Sequence, residues 1–118
     1  MRIVRNLLRR TSRLAGPLSA ITYATVGAAG SSKTDAAALT GTINSVTGAD
    51  DTKGVILPAG VAQGDIVVVV NTVANKTLKV YPPAGKKING GSADAALVLL
   101  ASQAGMFISL GSDNWVGA

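Results

Sequence analysis

From residue 27 onward, clusters of glycine, proline, asparagine and aspartate recur so closely that only short strands fit between them. Gly27-Ala28-Ala29-Gly30-Ser31-Ser32 is the first cluster and Gly48-Ala49-Asp50-Asp51 the second. Pro58-Ala59-Gly60, Asn75-Lys76, Pro82-Pro83-Ala84-Gly85, Asn89-Gly90-Gly91 and Gly111-Ser112-Asp113-Asn114 follow. The segments left over, 21–26, 42–46, 54–57, 65–71, 77–81, 96–101, 106–110 and 114–116, are rich in β-branched residues and lie about ten residues apart. A single helical turn is expected from Asp35 to Leu39, with Thr34 as its N-cap and Gly41 as its stop. No internal repeat is evident. The expected fold class is all-β: an antiparallel β-sandwich or small jelly-roll-like barrel of seven or eight short strands.

Two of these segments lack the alternation of a half-buried strand. Residues 66–70 read Ile-Val-Val-Val-Val and residues 96–101 read Ala-Leu-Val-Leu-Leu-Ala, so each is expected to be covered on both faces, centrally or beneath a subunit contact. A chain of 118 residues whose apolar mass is alanine and valine, with 3% aromatic residues, has little interior to spare. Association of copies would supply the missing cover, and a homo-oligomer is expected.

Charge divides the chain differently. Arg2, Arg5, Arg9, Arg10 and Arg13 occur before residue 14 with no acid among them, while six lysines and six aspartates cancel in the remainder. The whole net charge of +5 therefore belongs to an arm, taken as residues 1–20, and the β domain, residues 21–118, is neutral. Drawn as a helix, the arm sets Ile3, Val4, Leu7, Leu8 and Leu14 against Arg2, Arg5, Arg9 and Arg13. Gly16-Pro17 interrupts the segment after the arginines, unlike a secretory signal, and no run reaches the ~18 apolar residues of a membrane span. A basic amphipathic arm suits docking on a partner protein, and no membrane partner is expected.

Catalytic chemistry has few residues to use. The sequence has no cysteine, histidine or glutamate, which excludes thiolate nucleophiles, the usual zinc sites, Ser-His-Asp triads and imidazole acid–base catalysis. Gly27 to Thr34 matches a phosphate-binding G-x-x-x-x-G-K-[ST] loop at Gly27, Lys33 and Thr34, but Ser32 stands where the second glycine belongs, so a Gly/Ser linker is expected. Asp50-Asp51 reads as a turn rather than a calcium loop. Lys86-Lys87 reads as a solvated loop edge, Asn75-Lys76-Thr77 as a turn that also fits a glycosylation sequon, and Trp115 as a core or interface anchor. The expectation is a non-enzyme with no cofactor and no metal.

The order of motifs in the second half carries a resemblance. Gly54-Val55-Ile56-Leu57-Pro58, then Gly64-Asp65-Ile66 through Val70-Asn71, then Leu78-Lys79-Val80-Tyr81-Pro82-Pro83-Ala84-Gly85, Ile88-Asn89-Gly90, Phe107 and Trp115 follow one another over residues 48–118. This series resembles the head decoration (cement) and head-fibre proteins of tailed bacteriophages. The resemblance implies a virion structural protein on the capsid exterior, often a trimer, bound to the major capsid protein and stabilising the shell through buried area. In that setting Ile3, Leu7 and Leu8 would be apolar anchors of an N-terminal clamp, and Arg2, Arg5, Arg9 and Arg10 would pair with carboxylates of the shell. The alternative is a head- or tail-fibre module whose β body binds a host receptor or glycan, although only Tyr23, Tyr81, Phe107 and Trp115 are available for stacking. Nucleic-acid binding through the five arginines is the weakest reading, because the body is neutral and carries no recognition motif.

Overall fold

A computed structural model describes residues 21–118. Ten strands form two sheets: β1 Tyr23–Gly27, β2 Ala37–Ala38, β3 Ile43–Thr47, β4 Gly54–Ile56, β5 Ile66–Asn71, β6 Leu78–Tyr81, β7 Lys87–Ile88, β8 Leu97–Leu99, β9 Ala104–Ser109 and β10 Asn114–Gly117. The six-stranded sheet runs β1-β3-β5-β9-β10-β7 and the four-stranded sheet β2-β4-β6-β8. From β1 to β9 the chain therefore changes sheet after every strand.

Up to β6 that alternation goes with parallel pairing. In the first coils the chain crosses to the other sheet and returns running the same way, so β1, β3 and β5 are parallel neighbours, as are β2, β4 and β6. Tyr23 lies beside Ile43 and Ile43 beside Val68, while Ala37 lies beside Val55 and Val55 beside Val80. Equivalent positions recur after about 20–25 residues, within the period range of stacked-coil proteins. The last strands close the stack differently: β9 is antiparallel to β5 and β10, β8 is antiparallel to β6, and β7 is parallel to β10.

The all-β expectation agrees with this fold, but the antiparallel, jelly-roll-like connectivity does not. Turn residues announce that a strand has ended without saying whether the chain doubles back in one sheet or crosses to the other, and here it crosses. The structural equivalence of successive coils leaves only a trace in the letters. Thr22-x-x-Thr25-Val26 and Thr42-x-x-Ser45-Val46 occupy matching places in successive coils, with Thr25 beside Ser45 and Val26 beside Val46. Residues 35–39 hold no helical turn of the kind expected. A 3-10 turn at Lys33–Asp35 leads into β2, because the chain must become extended at Ala37 to pair with Val55.

Side chains that point between the sheets form one core. Val26, Val46, Val67, Val69, Phe107 and Trp115 come from the larger sheet; Val55, Leu78, Val80 and Leu99 face them from the smaller. Phe107 is fully buried because its cross-strand partner is Gly117: a Cβ there would lie 2.9 Å from the Cγ of the ring.

Two fully buried asparagines hold the crossings. Asn44 Nδ2 donates to the carbonyls of Gly41 at 2.8 Å and Val68 at 3.2 Å, while its Oδ1 accepts the Gly41 N–H at 2.9 Å. Asn71 Nδ2 donates to the carbonyls of Lys76 at 2.8 Å and Leu100 at 3.2 Å, and its Oδ1 accepts the Val73 N–H at 3.1 Å. Asn71 thus ties the end of β5 both to the crossing that leaves it and to the chain just past β8, in the other sheet. Asn71→Ala strands these partners without a replacement and should cost about 3 kcal/mol of stability. Urea denaturation checks this against Gln103→Ala, an exposed neighbour expected to change stability by less than about 0.5 kcal/mol.

Candidate interaction surface

In β5 every position from Ile66 to Val70 is apolar, so the strand has no polar side to give to water. Val67 and Val69 enter the core, which leaves Ile66, Val68 and Val70 on the outer face of the six-stranded sheet. Register extends that face across the neighbouring strands. One row reads Tyr23–Ile43–Val68–Met106 and the next Ile66–Ile108–Val116, while the third, Thr25–Ser45–Val70–Ala104, is half polar. None of these positions bears a charge. Tyr23 is 69% exposed, Met106 54%, Ile66 45% and Val116 42%, so the face is open along its length. Within the strands of this sheet the charged residue is Lys87, paired with Asn114 at the far edge, while Asp65 borders the face just before Ile66.

At one end of the rows, Ile21, Ile43, Ile66 and Val68 join Pro58 and Val61 around a groove of about 640 Å³. Within the described residues, 66–70 and 96–101 are not covered on both faces, which leaves the other expected cover, a subunit contact, to supply it. The first lies centrally but with its outer side open; the second forms edge strand β8, with Val98 and Leu100 each 53% exposed. The arm residues singled out for partner binding, Arg2, Ile3, Arg5, Leu7, Leu8, Arg9 and Arg10, lie outside the described residues.

The polar motifs of the sequence are engaged in holding turns. Asp35 Oδ1 accepts the backbone N–H groups of Ser31 at 3.1 Å and Ser32 at 2.9 Å, together with the Ser32 hydroxyl at 3.0 Å. Backbone donors that a phosphate would need in this loop are therefore bound to the chain's own carboxylate, over Gly30 at φ +70°. Lys33, the cation of that motif, pairs with Asp94 at 3.0 Å. Asp50 Oδ1 accepts from the Thr52 hydroxyl and from the N–H groups of Thr52 and Lys53, which makes the turn into β4. Asp51 accepts from the N–H and hydroxyl of Thr77 and pairs with Lys76 at 3.3 Å. Lys86-Lys87 is not a free loop edge: the Lys86 amine donates to the Ser112 carbonyl, and Lys87 begins β7.

These bonds set the acidity of the carboxyls. Hydrogen bonds from the Thr52 hydroxyl, then from the Thr52 and Lys53 backbone, hold Asp50 down to about 2 from its ordinary 3.8. Asp35 is lowered chiefly by the Ser32 backbone, Asp51 by that of Thr77 and Asp94 by that of Gly85. Groups so firmly ionised are poorly matched to proton transfer near neutral pH. Of the four aromatic residues, Tyr81, Phe107 and Trp115 are buried, so Tyr23 alone could stack on a glycan. Among the described residues no helix is long and apolar enough to cross a membrane.

No protein-family model matches the chain, and no curated protein matches it either. What identifies the surface is geometry. In sequence, the valine run was its one signal; Tyr23, Ile43, Met106, Ile108 and Val116 join it only through strand pairing.

The lowered carboxyls give a testable pH dependence. The unfolded chain takes up protons near the ordinary 3.8, which the folded chain resists until lower pH, so the contribution is complete above that value and is lost as the pH falls towards 2. Urea midpoints at about pH 5 and about pH 2.5 should differ in the direction of acid destabilisation, and Asp50→Asn should reduce the difference.

Proposed function

We propose that this chain is a structural virion protein of a tailed bacteriophage. It is a decoration, or cement, protein that binds the major capsid protein on the outside of the head and stabilises the shell by burying area. The observation that carries this reading is the open, uncharged apolar face of the six-stranded sheet, because exposed apolar patches on small domains mark interaction surfaces. It sits on a body in which the carboxyls of Asp35, Asp50, Asp51, Asp65 and Asp94 accept hydrogen bonds from turn backbone, Asp65 at the rim of the groove. The resemblance over residues 48–118 supplies the kind of assembly, and the region covers β4 to β10. We read the two facing sheets as a sandwich-like body, mixed in strand direction, that presents binding area rather than chemistry.

In this reading the arm is the clamp. Ile3, Leu7 and Leu8 fill apolar grooves of the shell, while Arg2, Arg5, Arg9 and Arg10 pair with shell carboxylates, most strongly where the guanidinium is bidentate. The test is co-sedimentation with heads assembled from the major capsid protein of the same genome. The full chain should pellet with the heads, and a chain lacking residues 1–13 should stay in the supernatant with an unchanged β circular dichroism spectrum. Equal binding by the truncated chain would remove the clamp, and failure of the full chain to pellet would remove the decoration reading.

A further inference from the structure

Three loops meet at one end of the stack, away from the apolar face. Residues 58–61 follow β4, residues 83–86 follow β6, and residues 109–114 carry the chain from β9 into β10. They enclose a cleft of about 200 Å³ that shares only Pro58 and Val61 with the apolar groove. Its side chains are hydrogen-bond donors that the fold leaves without acceptors. Strand pairing sets Ser109 directly beside Trp115, and both are buried, at 5% and 3% exposure. Ser109 Oγ accepts the Gly111 N–H at 3.2 Å, but its own hydrogen has no acceptor among the described residues, and neither has the Trp115 indole N–H. Buried donors in native folds are met by a partner, here one that enters the cleft. Lys86 adds a charge at the same place. Its amine donates to the Ser112 carbonyl at 3.1 Å, which fixes its position and uses one of its three N–H groups. The ion pairs among the described residues use Lys33, Lys53 and Lys76, and no aspartate lines the cleft, so the Lys86 charge is not neutralised there.

An indole N–H, a hydroxyl and an ammonium group in one cleft call for an acceptor, and a single cation calls for a single negative charge. A carboxylate meets both conditions. A phosphate monoester, at about −1.5 to −2, carries more charge than one lysine offsets. A cavity of ~150 Å³ takes one benzene ring, so this cleft has room for one six-membered ring with short substituents. The rest of its lining favours hydroxyls on that ring. Asn114 uses its Oδ1 to accept the Gly90 N–H at 3.0 Å, which leaves its Nδ2 hydrogens for a ligand, and Ser112 brings a second hydroxyl. We infer that the cleft binds a sugar acid, a hydroxylated six-membered ring with one carboxylate, held by Lys86, Ser109 and Trp115. The free acid and the acidic end residue of a saccharide share this chemistry. The site is separate from the apolar face and does not depend on the decoration reading.

Trp115 is the sole tryptophan of the chain, so its fluorescence reports on the cleft directly. Titrating the full chain with glucuronate should change that emission saturably, with a midpoint of about 0.1–10 mM. Glucose, which has the same ring without the charge, should need at least about 10-fold more. This comparison uses the native chain, so it holds whatever a substitution does to folding. Lys86→Met keeps the aliphatic stem and should weaken glucuronate at least about 10-fold, and Ser109→Ala should weaken it about 3- to 10-fold. Lys53→Met, in the turn before β4, should leave binding unchanged. Circular dichroism melts establish that each variant is folded. Methyl glucuronide separates the sources: binding equal to that of the free acid assigns the site to a saccharide end, and exclusion assigns it to the free acid. Unchanged emission, with no retention of labelled glucuronate in equilibrium dialysis up to about 100 mM, overturns the inference and leaves the donors to water. Equal binding of glucose overturns it as well, as does undiminished glucuronate binding by folded Lys86→Met. Heads take no part in these titrations, so the decoration reading stands or falls separately.

Discussion

A chain that changes sheet after every strand must carry its backbone across the edge of its own core again and again. Each crossing brings amide and carbonyl groups that no ladder satisfies, and burying them unpaired would cost more than a few short strands return. Asn44 and Asn71 meet this constraint from inside, each accepting one N–H and donating to two carbonyls. Asp35, Asp50, Asp51 and Asp94 meet it from outside, by accepting turn N–H groups on the solvent side. The scarcity of longer acidic side chains follows the same geometry, since aspartate and asparagine are short enough to reach backbone two or three residues away. The stack thus spends its polar side chains on its own turns, and the residues that look like chemistry in the sequence are the residues that let the chain wind.

This explains which parts of the fold could be read in advance. Eight of the ten strands coincide with segments bounded by turn residues, because β-branched runs and glycine punctuation are local properties. The two missed strands, Ala37–Ala38 and Lys87–Ile88, are two residues long and exist only because a neighbour offers a ladder: Val55-Ile56 for the first, Asn114-Trp115 for the second. Strand direction was not legible for a related reason. Whether Gly48-Ala49-Asp50-Asp51 reverses the chain within a sheet or carries it to the opposite one depends on what the next strand finds to pair with. Successive coils share a pattern of inward and outward positions more than letters. Val26 and Val46 match, but the third coil places Asn71 beside Val46.

The candidate surface was legible in one strand and hidden in the rest. Residues 66–70 declare two apolar faces, and the inference that something must cover the second remains sound physics even though the described chain leaves it open. Tyr23, Met106 and Val116 gave no such sign, since single apolar residues in short strands are ordinary. They become a surface only when register places Tyr23, Ile43, Val68 and Met106 side by side, from segments scattered over most of the chain. At residues 27–34 the letters match a phosphate loop only in part and read as a Gly/Ser linker, and the geometry shows an internal carboxylate holding that turn.

One could ask whether the outer valines and isoleucines merely satisfy the strand preference for branched side chains. The same sheet contains the comparison. In the row Thr25–Ser45–Val70–Ala104 the first two coils use hydroxyl residues at outward positions, and threonine meets the β preference as well as valine does while remaining hydrated. One row away, at the same distance from solvent, the chain places tyrosine, isoleucine, valine and methionine with no charge to interrupt them. A sheet exposed in its working state would gain solubility from threonine or lysine there at little cost to pairing. The contrast between adjacent rows of one sheet therefore argues that the apolar row answers to a surface beyond the described residues, and that strand propensity alone does not account for it.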